Sequence, residues 1–467
     1  MRSPCHVSLA IAALACLTPG PAHAEAPPPY AHHVCPDGLE VIVVERHATP
    51  LMTVEIAVHN GAMTEPPEYN GLSHLYEHMF FKGNSALPDQ LAYSARLREL
   101  GMLFNGTTGN DKVNYFFTTT SDHYADAMVF MRDAITSPLF DKGELDRERV
   151  VVTGEMDRDE SEPQFLLWRA VEHQVYWKYP SRKNGLGDRK TVLSTTPEQM
   201  RTIQKRYYIP NNSLLIVTGD VHAEDVFAKA DSLYAGWARG PDPFVKFPLV
   251  KHPPIPRSKV LVVTQPVQTF TAMVQWLGPS SLGPSAPLTY AADVLSTALS
   301  EPGSKFQKAL VDSGSCVHAS LGWGTERDDG AITFYLSAPE SKADECVTAA
   351  LAELGKIEAP DYFTDAELQN AAQRIDLSLA EEREGTEGYA HQLSTWWANA
   401  DLAYYATYSD HLHAVTRADI AHYLDTYVLG KPFVLGALES PALAKTIDTA
   451  HLEKLAGIGT TVKAGGR

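Results

Sequence analysis

One pentapeptide in this 467-residue chain has the residue types and the spacing of a metal site. It reads HLYEH and runs from His74 to His78. In a helix, residues four apart lie on one face, so the two imidazoles can reach the same ion, with Glu77 beside it. Two imidazoles, a carboxylate and an open position for water are the requirements of a catalytic zinc site. The motif therefore predicts zinc-dependent hydrolysis in which Glu77 is the base that accepts a proton from the activated water.

A third ligand is available in the acid-rich segment 144–160, whose pattern is typical of a helix. Glu155 is the candidate because the apolar residues 150–152 and Met156 surround it, unlike an acid on a fully solvated face. Glu148 lies two turns before Glu155 on the same face. The alternative interpretation is a solvated acidic helix together with two surface histidines on an amphipathic helix.

The elements that would position these residues occur twice along the chain. A proline-rich stretch between residues 241 and 256 separates two segments with the same order of strands and helices. The expected elements are strands 38–44 and 52–59, helix 72–81 and strand 113–120 in the first half, and strands 260–263 and 270–277, helix 290–299 and strand 331–337 in the second. We therefore predict an α+β fold of two homologous domains, each a mostly antiparallel sheet covered by helices.

The same pattern predicts the domain boundaries. We expect a signal peptide at residues 1–24, a zinc-binding domain at 25–240, a linker at 241–258, and a homologous domain at 259–467. The second copy carries no HxxEH motif, and Ala371 and Ser378 stand where Glu148 and Glu155 stand in the first. One zinc ion per chain is therefore expected.

The first residues indicate export. An apolar stretch at 7–17 is followed by helix breakers and by Ala22-His23-Ala24, which predicts cleavage after Ala24 and a periplasmic or secreted location. Lipid attachment at Cys16 is the rival interpretation. The stretch is too short to span a bilayer, and no later segment is apolar enough to do so.

Net charge excludes some classes of partner, and the cysteine content leaves the disulfide pairing open. The formal net charge of -18 argues against nucleic acid or an anionic membrane surface as the main partner. Cys35, Cys316 and Cys346 would remain after cleavage. They allow one disulfide, and the sequence does not choose the pair.

Taken together, the inverted HxxEH motif, the distant glutamate and the doubled architecture resemble the pitrilysin/insulinase family of zinc peptidases. The resemblance covers nearly the whole mature chain and is strongest to short members such as bacterial peptidases and mitochondrial processing peptidase subunits. It implies that His74, His78 and Glu155 bind the zinc ion and that Glu77 is the catalytic base. It also implies that Glu148 orients one ligand from behind.

The resemblance further implies how substrate is held. Asn105 and the strand around Tyr115 resemble the edge at which family members bind substrate as an added β-strand. The chain would form half of a clam-shell chamber that accepts oligopeptides or unfolded segments of proteins.

One departure from the family bears on the partner. Active members carry an Arg and a Tyr, seven residues apart, in the domain that faces the zinc. The corresponding stretch, 303–320, contains neither, and Lys305 or Lys308 would replace an arginine fork poorly. Our hypothesis is a heterodimer whose homologous partner subunit supplies the Arg/Tyr pair. A homodimer is the alternative assembly, and a non-catalytic structural or interaction subunit is the alternative function.

Overall fold

The computed structural model describes residues 30–458, which form two sheets covered by helices. The predicted signal peptide and Cys16 lie outside the described residues. The strands are β1 (Ala31–Val34), β2 (Glu40–Glu45), β3 (Leu51–Val58), β4 (Leu103–Thr108), β5 (Val113–Thr120), β6 (Ser213–Gly219), β7 (Lys259–Thr264), β8 (Thr269–Leu277), β9 (His318–Trp323), β10 (Ala331–Pro339) and β11 (Val434–Glu439).

The helices differ widely in length; the first carries the HxxEH segment, and the fourth packs against the first. They are α1 (Leu72–Phe80), α2 (Gln90–Glu99), α3 (Tyr124–Thr136), α4 (Lys142–Glu160), α5 (Pro163–Val175), α6 (Arg189–Ser194), α7 (Pro197–Tyr207), α8 (Ala223–Tyr234), α9 (Pro243–Lys246), α10 (Pro287–Ser300), α11 (Lys305–Gln307), α12 (Ala343–Leu354), α13 (Asp365–Glu382), α14 (Thr386–Asn399), α15 (Leu402–Ala406), α16 (Tyr408–Ala414), α17 (Arg417–Tyr427) and α18 (Thr449–Leu455).

The two sheets share one topology, which confirms the predicted repetition. The first has the order β1-β2-β6-β3-β5-β4 and the second the order β7-β11-β8-β10-β9. In each, the first long strand pairs in parallel with the last, and the other pairs are antiparallel. Only β1, which extends the first sheet beyond β2, has no counterpart in the second sheet. The α+β prediction and the mostly antiparallel pairing are therefore confirmed.

Each half also contributes a helix to the other half's sheet, which the sequence did not predict. Helix α5 packs on β11 and β8 of the second sheet, and α14 packs on β3 and β6 of the first. Strand β6 is buried along its whole length because α14 covers one face while the helices of the first half cover the other. The two halves are thus joined through two buried apolar contacts as well as through the chain between them.

The proline-rich segment contains α9 and is otherwise without helix or strand up to β7. Proline lacks the N–H that a helix or sheet interior needs, which accounts for the irregular backbone.

The structure also shows which cysteines are paired. Cys316 and Cys346 form the disulfide, whose Cα atoms are 5.0 Å apart, and Cys35 is buried as a free thiol. Within residues 30–458, no helix combines the length and the apolarity needed to cross a membrane.

The contact between α14 and the first sheet can be tested through Leu393. Its side chain is fully buried among residues of β2, β3 and β6. We expect Leu393→Ala to lower the free energy of unfolding by about 2–4 kcal/mol through lost burial and the cavity that remains. The matched control is Leu377→Ala on α13, because Leu377 is largely exposed. Equal denaturation midpoints for the two variants would contradict the packing described here.

Candidate metal centre

Helix α1 presents the HxxEH residues to a cavity because its other face is apolar. Leu75, Tyr76 and Met79 are buried in the core of the first half, which leaves the two histidines and Glu77 partly exposed on the opposite side. Gly71 precedes the helix with a φ of 95°, a left-handed conformation that glycine adopts readily. Glu65 then accepts hydrogen bonds from the backbone N–H groups of Gly71 (2.7 Å) and Ser73 (2.6 Å).

Helix α4 brings Glu155 to the two histidines. The Oε2 atom of Glu155 lies 3.5 Å from Nε2 of His74 and 3.7 Å from Nε2 of His78, and the two Nε2 atoms are 3.3 Å apart. Zinc–nitrogen and zinc–oxygen bonds of about 2.0–2.1 Å place the donors of a tetrahedral ion about 3.3 Å from one another. The three donor atoms therefore already have the spacing that zinc requires.

Glu155 has only some of the apolar neighbours that the sequence predicts for it. Val152 and Met156 are buried, whereas Val150 and Val151 are exposed on the outer face of α4. Glu155 reaches the cavity because its own side of the helix faces α1, and not because apolar residues enclose it on every side.

Glu148 orients one of the histidines. Its Oε2 atom lies 3.0 Å from Nδ1 of His78, and its Oε1 atom lies 2.8 Å from Nζ of Lys82. Burial opposes ionisation of Glu148, but the hydrogen bonds from His78 and Lys82 outweigh it and hold its pKa below the ordinary value. A carboxylate that accepts the Nδ1 proton leaves the Nε2 lone pair available to a metal ion, as metal-binding histidines require.

Glu77 is held beside the same cavity by strand β4. Its Oε2 atom accepts a hydrogen bond of 2.6 Å from the hydroxyl of Thr108, and a Cβ atom on Gly106 would lie 2.9 Å from its Cγ. Burial raises the pKa of Glu77, with the Thr108 hydrogen bond acting in the opposite direction. A carboxyl group with a raised pKa is a better proton acceptor at neutral pH than an ordinary glutamate.

Burial also keeps His74 in the form that binds metals. It lowers the pKa of His74 to about 4, and the charge of His78 acts in the same direction. The imidazole is therefore neutral at neutral pH, with a lone pair available to an ion.

The cavity has a volume of about 680 Å³, and every residue that lines it falls between His74 and Leu186. Strand β4 is the free edge of the first sheet and forms part of the wall through Phe104 and Asn105. Leu103 and Phe104 on this edge are 70% and 45% exposed. The structure thus brings the predicted metal ligands, Glu77 and Asn105 to one cavity.

Tyr115 lies elsewhere, which corrects its predicted role in holding substrate. Its strand, β5, pairs with β3 on one side and β4 on the other, so it is not an edge. The Tyr115 ring is fully buried against Phe80, and its hydroxyl is 2.9 Å from that of Tyr208. Tyr115 therefore supports α1 from within the core.

Three residues that position the site were missed in the sequence. Lys82 lies four residues after His78, a spacing that signals a shared helix face, although α1 ends at Phe80. Thr108 and Glu65 come from a strand and from a turn, where no helical period reveals them. Their roles depend on the tertiary arrangement of β4 and on the backbone that leads into α1.

Comparison with known proteins identifies the family of the chain. Residues 40–188 match the family description "Insulinase (Peptidase family M16)", and residues 194–375 match "Peptidase M16 inactive domain". Both descriptions refer to the same family and together they span most of the chain, which therefore belongs to peptidase family M16.

Individual relatives are similar at low identity. A Rickettsia felis "Uncharacterized zinc protease" is 27% identical over 205 residues, which is 44% of this chain but only about half (49%) of that protein. The zinc protease YmxG of Bacillus subtilis is 24% identical over 361 residues, covering 76% of this chain and 84% of the relative. An Arabidopsis thaliana protein named "Probable mitochondrial-processing peptidase subunit beta" is 22% identical over 421 residues, or 86% of this chain and 77% of its own length.

Solved structures show the same fold. A protease from Helicobacter pylori superposes with a TM-score of 0.80 at 20% identity, covering 88% of this chain and 99% of that one. The first half of the Escherichia coli periplasmic protease PqqL superposes with a TM-score of 0.75 at 16% identity, covering 94% and 98%.

The hydrogen bonds that Glu65 accepts at the start of α1 can be tested through the stability of the protein. Replacing Glu65 by Ala removes the acceptor of two buried N–H groups, so Glu65→Ala should lower the free energy of unfolding by about 1–3 kcal/mol. The exposed Glu68, three residues on, supplies the control Glu68→Ala. Chemical denaturation compares the two, and indistinguishable midpoints would show that the cap does not hold α1.

Proposed function

We propose that this chain is a zinc-dependent endopeptidase that hydrolyses oligopeptides or unfolded segments of proteins. The observation that carries the proposal is the set of donor atoms on His74, His78 and Glu155, spaced 3.3–3.7 Å apart beside Glu77 and a free sheet edge. A zinc ion held there supplies a Lewis acid that lowers the pKa of water and polarises a carbonyl group.

The remaining chemistry belongs to the chain's own residues. Glu77 accepts the proton of the attacking water and can deliver it to the leaving amine, while Thr108 fixes the carboxylate in place. The unpaired backbone groups of β4 can pair with an extended peptide laid along the edge. Because only an extended segment can add to a sheet in this way, folded proteins are excluded as direct substrates.

The active form is proposed to be a heterodimer. All residues lining the cavity come from the first half, and none comes from beyond Leu186. Lys305, one candidate replacement for the missing arginine, donates to the main-chain carbonyl of Asp361 and lies over the ring of Tyr362. The similarity to a relative named as a subunit of a processing peptidase supports a homologous partner that supplies the Arg/Tyr pair. A homodimer is the alternative assembly.

A non-catalytic role is the second candidate function. It is favoured by the match of residues 194–375 to the inactive domain of the family. That match, however, begins beyond the last residue lining the cavity, and the first half keeps a complete donor set. Catalysis is therefore the better supported function.

The proposed location is the periplasm or the exterior of the cell. The amino-terminal pattern at residues 1–24 and the similarity in fold to the periplasmic protease PqqL support it. We also propose the domain boundaries predicted from the sequence, with a linker at 241–258.

The central test of catalysis replaces the base. We expect Glu77→Gln to lower kcat/KM on a quenched, unstructured peptide by about 100- to 10,000-fold while the zinc content stays unchanged, because Glu77 is not a ligand. The exposed Glu99 on α2 supplies the control Glu99→Gln, which should retain full activity. The comparison is made in the assembly in which the wild type cleaves the peptide, and equal cleavage by Glu77→Gln there would contradict the assignment.

The same assay decides between the assemblies. Cleavage by the purified chain alone would contradict the heterodimer and favour a homodimer or monomer. Activity that appears only after a homologous chain with the Arg/Tyr pair is added is the expected result.

A further prediction concerns the residue behind His78. Glu148→Gln removes the charge that orients the ring, so the affinity for zinc should fall about 10- to 100-fold. Competition with a chelator of known affinity measures this change. Glu144→Gln, one turn earlier on α4 where the carboxylate pairs with Arg147, is the control. If the two variants bind zinc equally, Glu148 does not orient the ligand.

A further inference from the structure

We propose a second metal site on the first half of the chain, in which Glu45, His47 and His222 bind a zinc-like divalent cation. It lies at the ends of β2 and β6. In the sheet order these two strands are separated from the edge strand β4 by β3 and β5, so the site is remote from the candidate catalytic cavity.

Strand pairing brings the three residues together. Strands β2 and β6 are parallel neighbours with Glu45 opposite Gly219, so the chain leaves both strands at the same end of the sheet. His47 lies two residues after Glu45, and His222 immediately precedes α8. Two imidazoles and one carboxylate are the same donor types as in the candidate catalytic centre, and they suit zinc among the metals available to proteins.

The three donor side chains are exposed and are spaced widely enough to leave room for an ion between them. Oε2 of Glu45 lies 3.4 Å from Nε2 of His47 and 3.7 Å from Nδ1 of His222, and all three donor atoms lie within 4.8 Å of one another. A direct hydrogen bond between a carboxylate and an imidazolium would be about 2.7–2.9 Å long. The observed distances instead approach the separation of about 3.3 Å between donors of a tetrahedral ion.

Outer contacts already orient two of the three donors. Nδ1 of His47 lies 2.7 Å from Oδ1 of Asp220, which leaves Nε2 directed toward Glu45, and the hydroxyl of Ser121 donates to the other oxygen of Asp220 at 2.9 Å. The backbone N–H of Ala223 donates to Oε1 of Glu45 at 2.7 Å and leaves Oε2 free. The pairing of His47 with Asp220 repeats that of His78 with Glu148, an arrangement typical of metal-bound histidines.

A second cluster, formed by His33, Cys35 and Asp231, does not show this spacing. Nε2 of His33 is only 2.9 Å from Oδ1 of Asp231, which is the length of a hydrogen bond and shorter than the separation between tetrahedral donors. In that cluster His33 and Asp231 bond directly to each other, whereas the donors around Glu45 leave room for an ion between them.

Metal bound at Glu45 would link the connection after β2 to the start of α8.

The test uses the full chain with His74→Ala and His78→Ala, which removes the candidate catalytic site. Calorimetric titration with zinc alone should show one ion bound per chain. Adding His47→Ala or His222→Ala should lower the affinity at least about tenfold. Adding His123→Ala, which removes a half-buried histidine two residues from Ser121, should leave it unchanged.

A second measurement covers the case in which the doubly substituted background does not fold. Zinc content after dialysis should then be two ions per chain in the wild type and one in His47→Ala and in His222→Ala, and both variants should keep the cleavage that the wild type shows in the same assembly. A zinc content and a titration that neither His47→Ala nor His222→Ala changes would overturn the proposal. Because the two sites are removed separately, loss of this site and loss of the catalytic site give different results.

Discussion

The hydrogen bond between Glu148 and Nδ1 of His78 joins the two helices on which the candidate metal centre depends. The donors come from α1 and α4, so their separation is set by how these helices pack and not by the spacing within either one. Leu145, Val152 and Met156 bury one face of α4 in the core, and the Glu148 contact fixes its rotation relative to α1. Three donors at tetrahedral spacing require both constraints at once.

The two halves of the molecule are also held together, because each contributes a helix to the other's sheet. Helix α5 begins at Pro163, three residues after α4 ends, and packs on the second sheet. Helix α14 returns from the second half and covers β3 and β6 of the first. The helix that carries Glu155 is therefore followed directly by a helix packed on the sheet of the second half, and that half holds no comparable donor set among the described residues.

The sequence predicts most of the fold because the strong periodic signals are local. Strand β5 falls at the predicted residues 113–120, and α1 ends one residue before the predicted position. Repetition of the pattern then predicts two similar sheets. The exchange of α5 and α14 was not predictable in this way, since an apolar helix face does not reveal which sheet will cover it.

The site was predictable to the extent that helical spacing encodes it. His74, Glu77 and His78 lie within one turn, and Glu148 and Glu155 lie two turns apart on α4. Thr108 and Glu65 reach the site through strand and turn geometry, which a single sequence does not specify. Tyr115, in contrast, was predicted to lie at the substrate-binding edge but is buried in the core beside the edge strand. The cluster of Glu45, His47 and His222 was missed since its members meet only through the pairing of β2 with β6.

The most direct test of the central claim is an anomalous difference map at the zinc absorption edge, from a crystal of the full chain grown with zinc. We expect a peak about 2.0–2.2 Å from Nε2 of His74, Nε2 of His78 and a carboxylate oxygen of Glu155. A map with no peak between these three residues, whatever is found elsewhere in the molecule, would contradict it.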